Sequence, residues 1–206
     1  MSKGWAAVAA YAEEAQKRQK EYDENKGNFK PRAFPLIVKM GEEADVTFVD
    51  VEPDMRTLHT LQLNEKWTTR PCLGDNCPYC AKGNKSKTRC LFTVVDHRSY
   101  TREKDGVPVT YRDQLRYFEC SPTTADNLNR MLTRKKKKLG TDGIVVNISK
   151  SKVDKKSPPM FDLLDRDPES HRIPENVEPF DFDEVFALDS ATAFKEAVSG
   201  NQVKYS

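Results

Sequence analysis

Nine residues constrain this chain more than any other feature: Cys72-Leu73-Gly74-Asp75-Asn76-Cys77-Pro78-Tyr79-Cys80, a C-x4-C-x2-C run. Closely spaced thiolates with Gly and Pro between them let one short loop wrap an ion, and zinc takes four such ligands in a tetrahedron. The five cysteines, three of them in this run, fit a metal site in a reducing compartment and argue against a disulfide-built secreted module. Without a metal, clustered thiols in a polar loop would be an oxidation liability. The fourth ligand must come from elsewhere. His59, 13 residues before Cys72 on what reads as the strand leading into the loop, is the first candidate. Cys90 is its main rival, although it alternates with Phe92 and Val94 and so reads as a small buried hydrophobe, and His97 stands third. With four ligands available, one closed, structural zinc ion is expected rather than an open catalytic one.

Charge is segregated around this loop. Residues 82–156 carry 19 basic and 8 acidic side chains, a net of +11, whereas residues 157–206 carry 4 and 11, a net of -7. That pattern suits a polyanion-binding surface with an internal competitor. Cations and rings interleave in Trp67, Arg70, Tyr79, Lys82, Lys85, Lys87, Arg89, Arg98, Tyr100, Arg102, Tyr111, Arg112, Arg116 and Tyr117. Cations track phosphates and rings stack on any base, so the composition favours single-stranded nucleic acid. The competing role for each ring is core packing, expected for Phe92 and Phe118, which share a face with Val94 and Cys120. Tyr79, Tyr100 and Tyr111 are open to either role, and Trp67, in a polar stretch, leans towards the ligand. The Lys135–Lys138 run either matches a helix dipole or touches the ligand directly.

The 206 residues suit one ordinary domain with extensions. Trp5, Val8, Ala9, Ala12 and Ala15 recur at helical spacing, predicting an amphipathic helix that fades at Asn25-Lys26-Gly27. Strands are predicted over Ala33–Lys39 and Ala44–Val51, as a hairpin turning at Gly41. Residues 64–89 lack periodicity. Further strands are expected at Leu91–Asp96, at Arg98–Thr110 around a turn at Lys104-Asp105-Gly106, and at Gln114–Cys120, Gly143–Ser149 and Met160–Leu164. A helix capped by Ser121 or Thr123 is expected to run through Leu128, Met131 and Leu132 into the lysines and stop at Gly140. The fold class is therefore mainly β with peripheral helices, a five-stranded barrel of OB type carrying a zinc-binding loop, although SH3-like barrels use similar ingredients.

The order His59, then Cys72 to Cys80, then Gly83, then Leu91-Phe92-Thr93-Val94-Val95-Asp96-His97 resembles the zinc-bearing single-stranded DNA-binding proteins of tailed bacteriophages. The likeness spans roughly residues 30–165, and its cysteine loop is more specific than its strand pattern. It implies a zinc-stapled OB-fold that coats single strands in replication, recombination and repair. His59, Cys72, Cys77 and Cys80 would be the zinc ligands, and the basic-aromatic stretch would line the groove. The chain departs from the family pattern in that its acidic stretch, Asp162 to Asp189, is followed by near-neutral Ala191 to Ser206.

The expected division is an N-terminal helix or arm over residues 1–28, the zinc-containing core over 29–165 and an acidic, Phe-containing segment over 166–206. Besides single-stranded DNA, the expected partners are other copies through the N-terminal helix and replication or recombination proteins through the acidic segment. Pro168, Pro174 and Pro179 suit a mobile peptide, whereas Phe180, Phe182 and Phe186 are candidates to dock on the barrel, complete its core or meet a partner protein; ending the chain after Asp167 is expected to spare the fold and raise low-salt affinity. A zinc-stabilised interaction or transcription module is the alternative. An enzyme is not expected: no His-x-Glu precedes the cysteine loop, as zinc deaminases require, and Asp96-His97 reads as a strand end. No stretch approaches the roughly 18 apolar residues of a membrane span, so a soluble protein of the bacterial host cytoplasm is expected.

Overall fold

The computed structural model describes residues 33–187, apart from 64–65, 105–106, 142, 155–156, 167–172 and 174–176. The predicted N-terminal helix and the chain beyond residue 187 lie outside the described residues.

The fold is built around strand β4, Lys87–Asp96, whose last six residues, Leu91–Asp96, are all buried. A strand covered on both faces needs apolar or β-branched residues at every position, and Leu-Phe-Thr-Val-Val supplies them. Along one edge of β4 lies β7, Gln114–Cys120, paired from Cys90↔Cys120 to Asp96↔Gln114. The other edge is shared by two strands. β2, Asp54–Leu63, pairs with Lys87–Leu91, and β1, Glu43–Phe48, pairs with Val94–Asp96. β2 continues into β3, Lys66–Pro71, while β1 continues into β8, Ile144–Ser149, and β9, Met160–Asp165, all antiparallel. β5, Tyr100–Lys104, and β6, Val107–Tyr111, form a separate two-stranded ribbon, whose turn at 105–106 is not described.

The mainly β, antiparallel class is as expected; seven strands join in one sheet, and among the described residues no ladder closes it into a barrel. Phe118 of β7 and Phe161 of β9 meet edge to face, 6.1 Å apart, without a ladder between their strands. The helix Pro122–Arg134 packs against both β4 and β9.

One face of β4 holds the main core, Cys90, Phe92 and Val94 with Val46, Phe48, Phe118, Leu128, Val146 and Ile148. On the other face Leu91 joins Leu58, Tyr117 and Phe182, with Phe180, Val185 and Phe186 packed around them. The acidic C-terminal segment therefore contributes a hydrophobic layer, anchored by the Phe180 N–H donating to the buried Thr93 Oγ1 at 2.8 Å.

Three predicted elements differ. Ala33–Lys39 makes only an isolated parallel bridge, Pro35↔Tyr117, because both edges of β1 are taken by β4 and β8 and Pro35 has no N–H to extend a ladder. The predicted hairpin with β1 does not form. β3 lies in the stretch without periodicity. The helix Pro122–Arg134 is capped by Ser121 Oγ, which accepts from the Thr124 N–H at 3.2 Å, but it ends well before Gly140. Lys136 adopts φ +53°, and the Lys137 and Lys136 N–H groups donate to the Leu132 and Thr133 carbonyls, closing a Schellman turn usually built on Gly. Gly140 instead sits where a Cβ would lie 2.9 Å from Val51 Cγ2. No described helix is long and apolar enough to cross a membrane.

Candidate metal centre and its surroundings

β2 delivers His59, and the ladder continues past β3 as the Cys72 N–H donates to the Thr57 carbonyl at 2.9 Å. The chain then turns through the 3-10 turn Gly74–Asn76, where Gly74 takes φ +75°, into a one-turn helix, α1, Pro78–Ala81. Pro78 suits the first helical position because its missing N–H would have no partner there. Cys77 and Cys80, three apart across the start of α1, turn their sulfurs to one side.

The four ligand atoms of His59, Cys72, Cys77 and Cys80 all lie within 4.8 Å of one another. His59 Nε2 is 3.3 Å from Cys77 Sγ and 3.6 Å from Cys80 Sγ, and Cys72 Sγ is 3.7 Å from Cys80 Sγ. A tetrahedron with Zn–S bonds of about 2.3 Å has an S···S edge of about 3.8 Å, so these three spacings are compatible with a zinc ion. The histidine is also set up as a ligand. His59 is fully buried, and its Nδ1 lies 3.1 Å from Asn84 Oδ1, whose amide is oriented by Asn84 Nδ2 donating to the Thr60 carbonyl at 3.4 Å. Nδ1–H thus donates to Asn84, leaving the Nε2 lone pair facing the sulfurs. Tyr79 is buried against the imidazole, its ring centroid 5.4 Å away.

The thiols have unequal acidities. Burial opposes ionisation of Cys77, but backbone hydrogen bonds at Leu73, Cys80 and Tyr79 outweigh it and lower its pKa. Cys80 is pushed up to about 11 by desolvation, the hydrogen bond with Cys72 and the charge of Cys77. A dication that all three sulfurs share removes this conflict, because it favours every thiolate at once.

The rival ligands are engaged elsewhere. Cys90 is buried in the main core opposite Cys120. His97 meets Thr47 Oγ1 at 2.8 Å and Asp113 Oδ1 at 2.7 Å. Asn84 carries no sequence signal beyond standing shortly after the cysteine loop. Its replacement by Ala is expected to weaken metal binding about 10- to 100-fold, read by competition with a chromogenic chelator.

The rings and cations of the basic-aromatic set separate into several places. Tyr79 belongs to the metal loop's core with Leu61 and Cys77 and has no surface to offer a base. Arg70 pairs in register with His59 and so lies on the metal side of the hairpin. Trp67, 64% exposed, shares the opposite face with Gln62. Register places Arg56, Lys87 and Arg89 on that same face, where Arg89 Nε also reaches Glu119 at 3.1 Å. Lys82 and Lys85 are exposed just after α1. The remaining residues gather on or beside the ribbon, where Tyr100 pairs with Tyr111, Arg102 and Arg112 are exposed, and Tyr100 lies between Arg98 and Arg116. Asp96 is fully buried and receives Arg98 Nε and Nη2, each at 2.9 Å, and the Tyr100 hydroxyl. Lys135–Lys138 are exposed beyond the helix end.

Fold and site together define an antiparallel β protein with a cluster of one histidine and three cysteines, His59 and Cys77 buried, Cys72 half-buried and Cys80 exposed, able to hold one metal ion and with a donor set compatible with zinc. No protein-family model and no curated protein matches the chain.

Proposed function

We propose that this chain is a sequence-nonspecific single-stranded DNA-binding protein, with a zinc-stapled core of OB type, that coats strands during phage replication, recombination and repair. The observation that carries the reading is the exposed Trp67 ring on one sheet face with Lys87, beside Arg56 and Arg89, which also pair with Asp54, Asp183 and Glu119, on a hairpin braced by the histidine-cysteine centre. Rings and cations on a rigid sheet are what sequence-tolerant stacking needs, and a closed metal site holds them still. Binding other copies through the N-terminal helix belongs to the same proposal. So does contact with replication proteins through the acidic segment, although its three Phe of residues 180–186 are engaged with the core.

A salt titration comparing oligo-dT with duplex and RNA of equal length tests the reading. Oligo-dT is expected to bind much more tightly than duplex, with log affinity falling linearly with log salt by about 0.7 for each phosphate neutralised. Trp67→Ala is expected to cost about 1–3 kcal/mol with little change of salt slope. Equal affinity for duplex and single strand would favour a general polyanion binder, and no nucleic-acid binding a zinc-stabilised interaction module.

A further inference from the structure

At the base of the ribbon, four side chains alternate as cation, ring, cation, ring. The Arg98 guanidinium carbon lies 5.4 Å from the Tyr100 ring centroid, and that of Arg116 lies 5.5 Å from Tyr100 and 5.5 Å from Phe34. The two arginines differ in their charge partners. Arg98 is neutralised by the buried Asp96, which also fixes Tyr100 through its hydroxyl. Arg116 has only rings over its faces, and no carboxylate lies against it among the described residues. Stacking uses the faces of a guanidinium and leaves its in-plane N–H donors for an acceptor, the geometry that matches a phosphate.

Phe34 gives the site its second half. Its ring is 46% exposed although one side lies against Arg116, and its backbone is held because its carbonyl accepts from the Tyr117 N–H at 3.0 Å. Register puts Tyr111 and Arg102 on the same ribbon face as Tyr100, with Glu103 on the other face, and Asp113 is occupied by His97. The surroundings are thus basic and aromatic, with the nearby carboxylates turned away or engaged.

We infer that this notch is a nucleotide subsite, in which Arg116 holds a backbone phosphate of a single strand and Phe34 stacks on an adjacent base. The inference rests on the single-strand reading above and adds a place and an anchoring ring that composition did not single out. Asp96, Arg98 and Tyr100 position Arg116 from behind, and the strand touches Arg116 and Phe34.

The test titrates full-length zinc-loaded protein with oligo-dT and with an abasic oligomer of equal length, which keeps the phosphates and removes the bases. Phe34→Leu retains bulk over Arg116 but cannot stack. It is expected to lose about 5- to 150-fold in affinity for oligo-dT, none for the abasic strand and none of the salt slope. Arg116→Gln is expected to weaken both ligands and lower the slope by about 0.7. Arg116→Lys, which keeps a point charge, is expected to retain the slope. Melting temperature and metal content, measured alongside, are expected to stay at parental values. Parental oligo-dT affinity in both Phe34→Leu and Arg116→Gln, or equal losses by Phe34→Leu on the two strands, would overturn the subsite while leaving the single-strand reading intact. Failure of the parent protein to bind oligo-dT would overturn that reading and the subsite together.

Discussion

Cys77→Ser is expected to purify without zinc and to melt well below the parent, whereas Cys90→Ser keeps one zinc per chain. The two cysteines sit in opposite environments. Cys77 Sγ lies 3.3 Å from His59 Nε2 inside the donor cluster, and Cys90 lies in the main core opposite Cys120. The metal loop has little else to hold it. Its hydrophobic cluster is Leu61, Cys77 and Tyr79, with Cys72 and Leu73 alongside, and α1 is a single turn. Structural zinc supplies about 10–16 kcal/mol of apparent binding free energy in small zinc-finger peptides at neutral pH, far more than such a cluster provides. The loss should therefore concentrate in β2, β3 and α1, visible as faster amide exchange across residues 54–86, while the β4-centred core stays protected. Because the thiols bind as thiolates, zinc affinity is expected to fall as pH falls, with release of zinc in acid. Elemental analysis finding stoichiometric zinc in Cys77→Ser, or none in Cys90→Ser, would sink the ligand assignment.

Legibility in the sequence follows how local each determinant is. The cysteine loop is readable because donor chemistry belongs to the residue type and three donors stand within one turn-rich stretch. His59 is readable as the histidine leading into it. Asn84 is not, because its role exists only where the chain curls back so that Oδ1 meets His59 Nδ1. β4 announces itself by a continuous β-prone run, whereas β3, Lys-Trp-Thr-Thr-Arg-Pro, is an edge strand, exposed at Trp67 and half-buried from Thr68 to Pro71, and shows no apolar alternation. The helix ends earlier than its sequence suggests because Lys136 takes a left-handed conformation that residue preference assigns to Gly140. Tyr79 reads as a neighbour of cations, but the turn of α1 aims it inward at His59. Tertiary pairing, which no local pattern encodes, decides both the fate of Ala33–Lys39 and the strand order of the sheet.

Phe182→Ala is expected to destabilise the protein by about 3–5 kcal/mol, the usual cost of emptying a buried Phe site. The acidic segment reads in sequence as a mobile competitor held by charge whose Phe180, Phe182 and Phe186 are candidates for docking, and the structure favours the docked alternative. Its described ion pairs to the sheet are Arg166 with Asp45 at 3.5 Å and Arg56 with Asp183, whose side chain is 81% exposed, and such solvent-exposed pairs are worth little. Its apolar attachment is much larger. Phe182 is 3% exposed and meets Tyr117 edge to face at 6.3 Å, while Phe186 meets the same ring at 5.7 Å. Removing the segment would uncover Leu58, Leu91 and Tyr117, so ending the chain after Asp167 is now expected to lower the melting temperature rather than spare the fold. Any gain in single-strand affinity from that truncation should come with this loss. The two origins separate cleanly in salt: a charge-held segment is released as ionic strength rises, whereas a hydrophobic one is not. Amide exchange at residues 180–186 is accordingly expected to be nearly the same at low and high salt in the parent, and much faster in Phe182→Ala. Asp183→Asn should leave the melting curve close to the parental one. A parental melting curve for Phe182→Ala, with salt-dependent exchange in the segment, would return it to the role of an electrostatic tail.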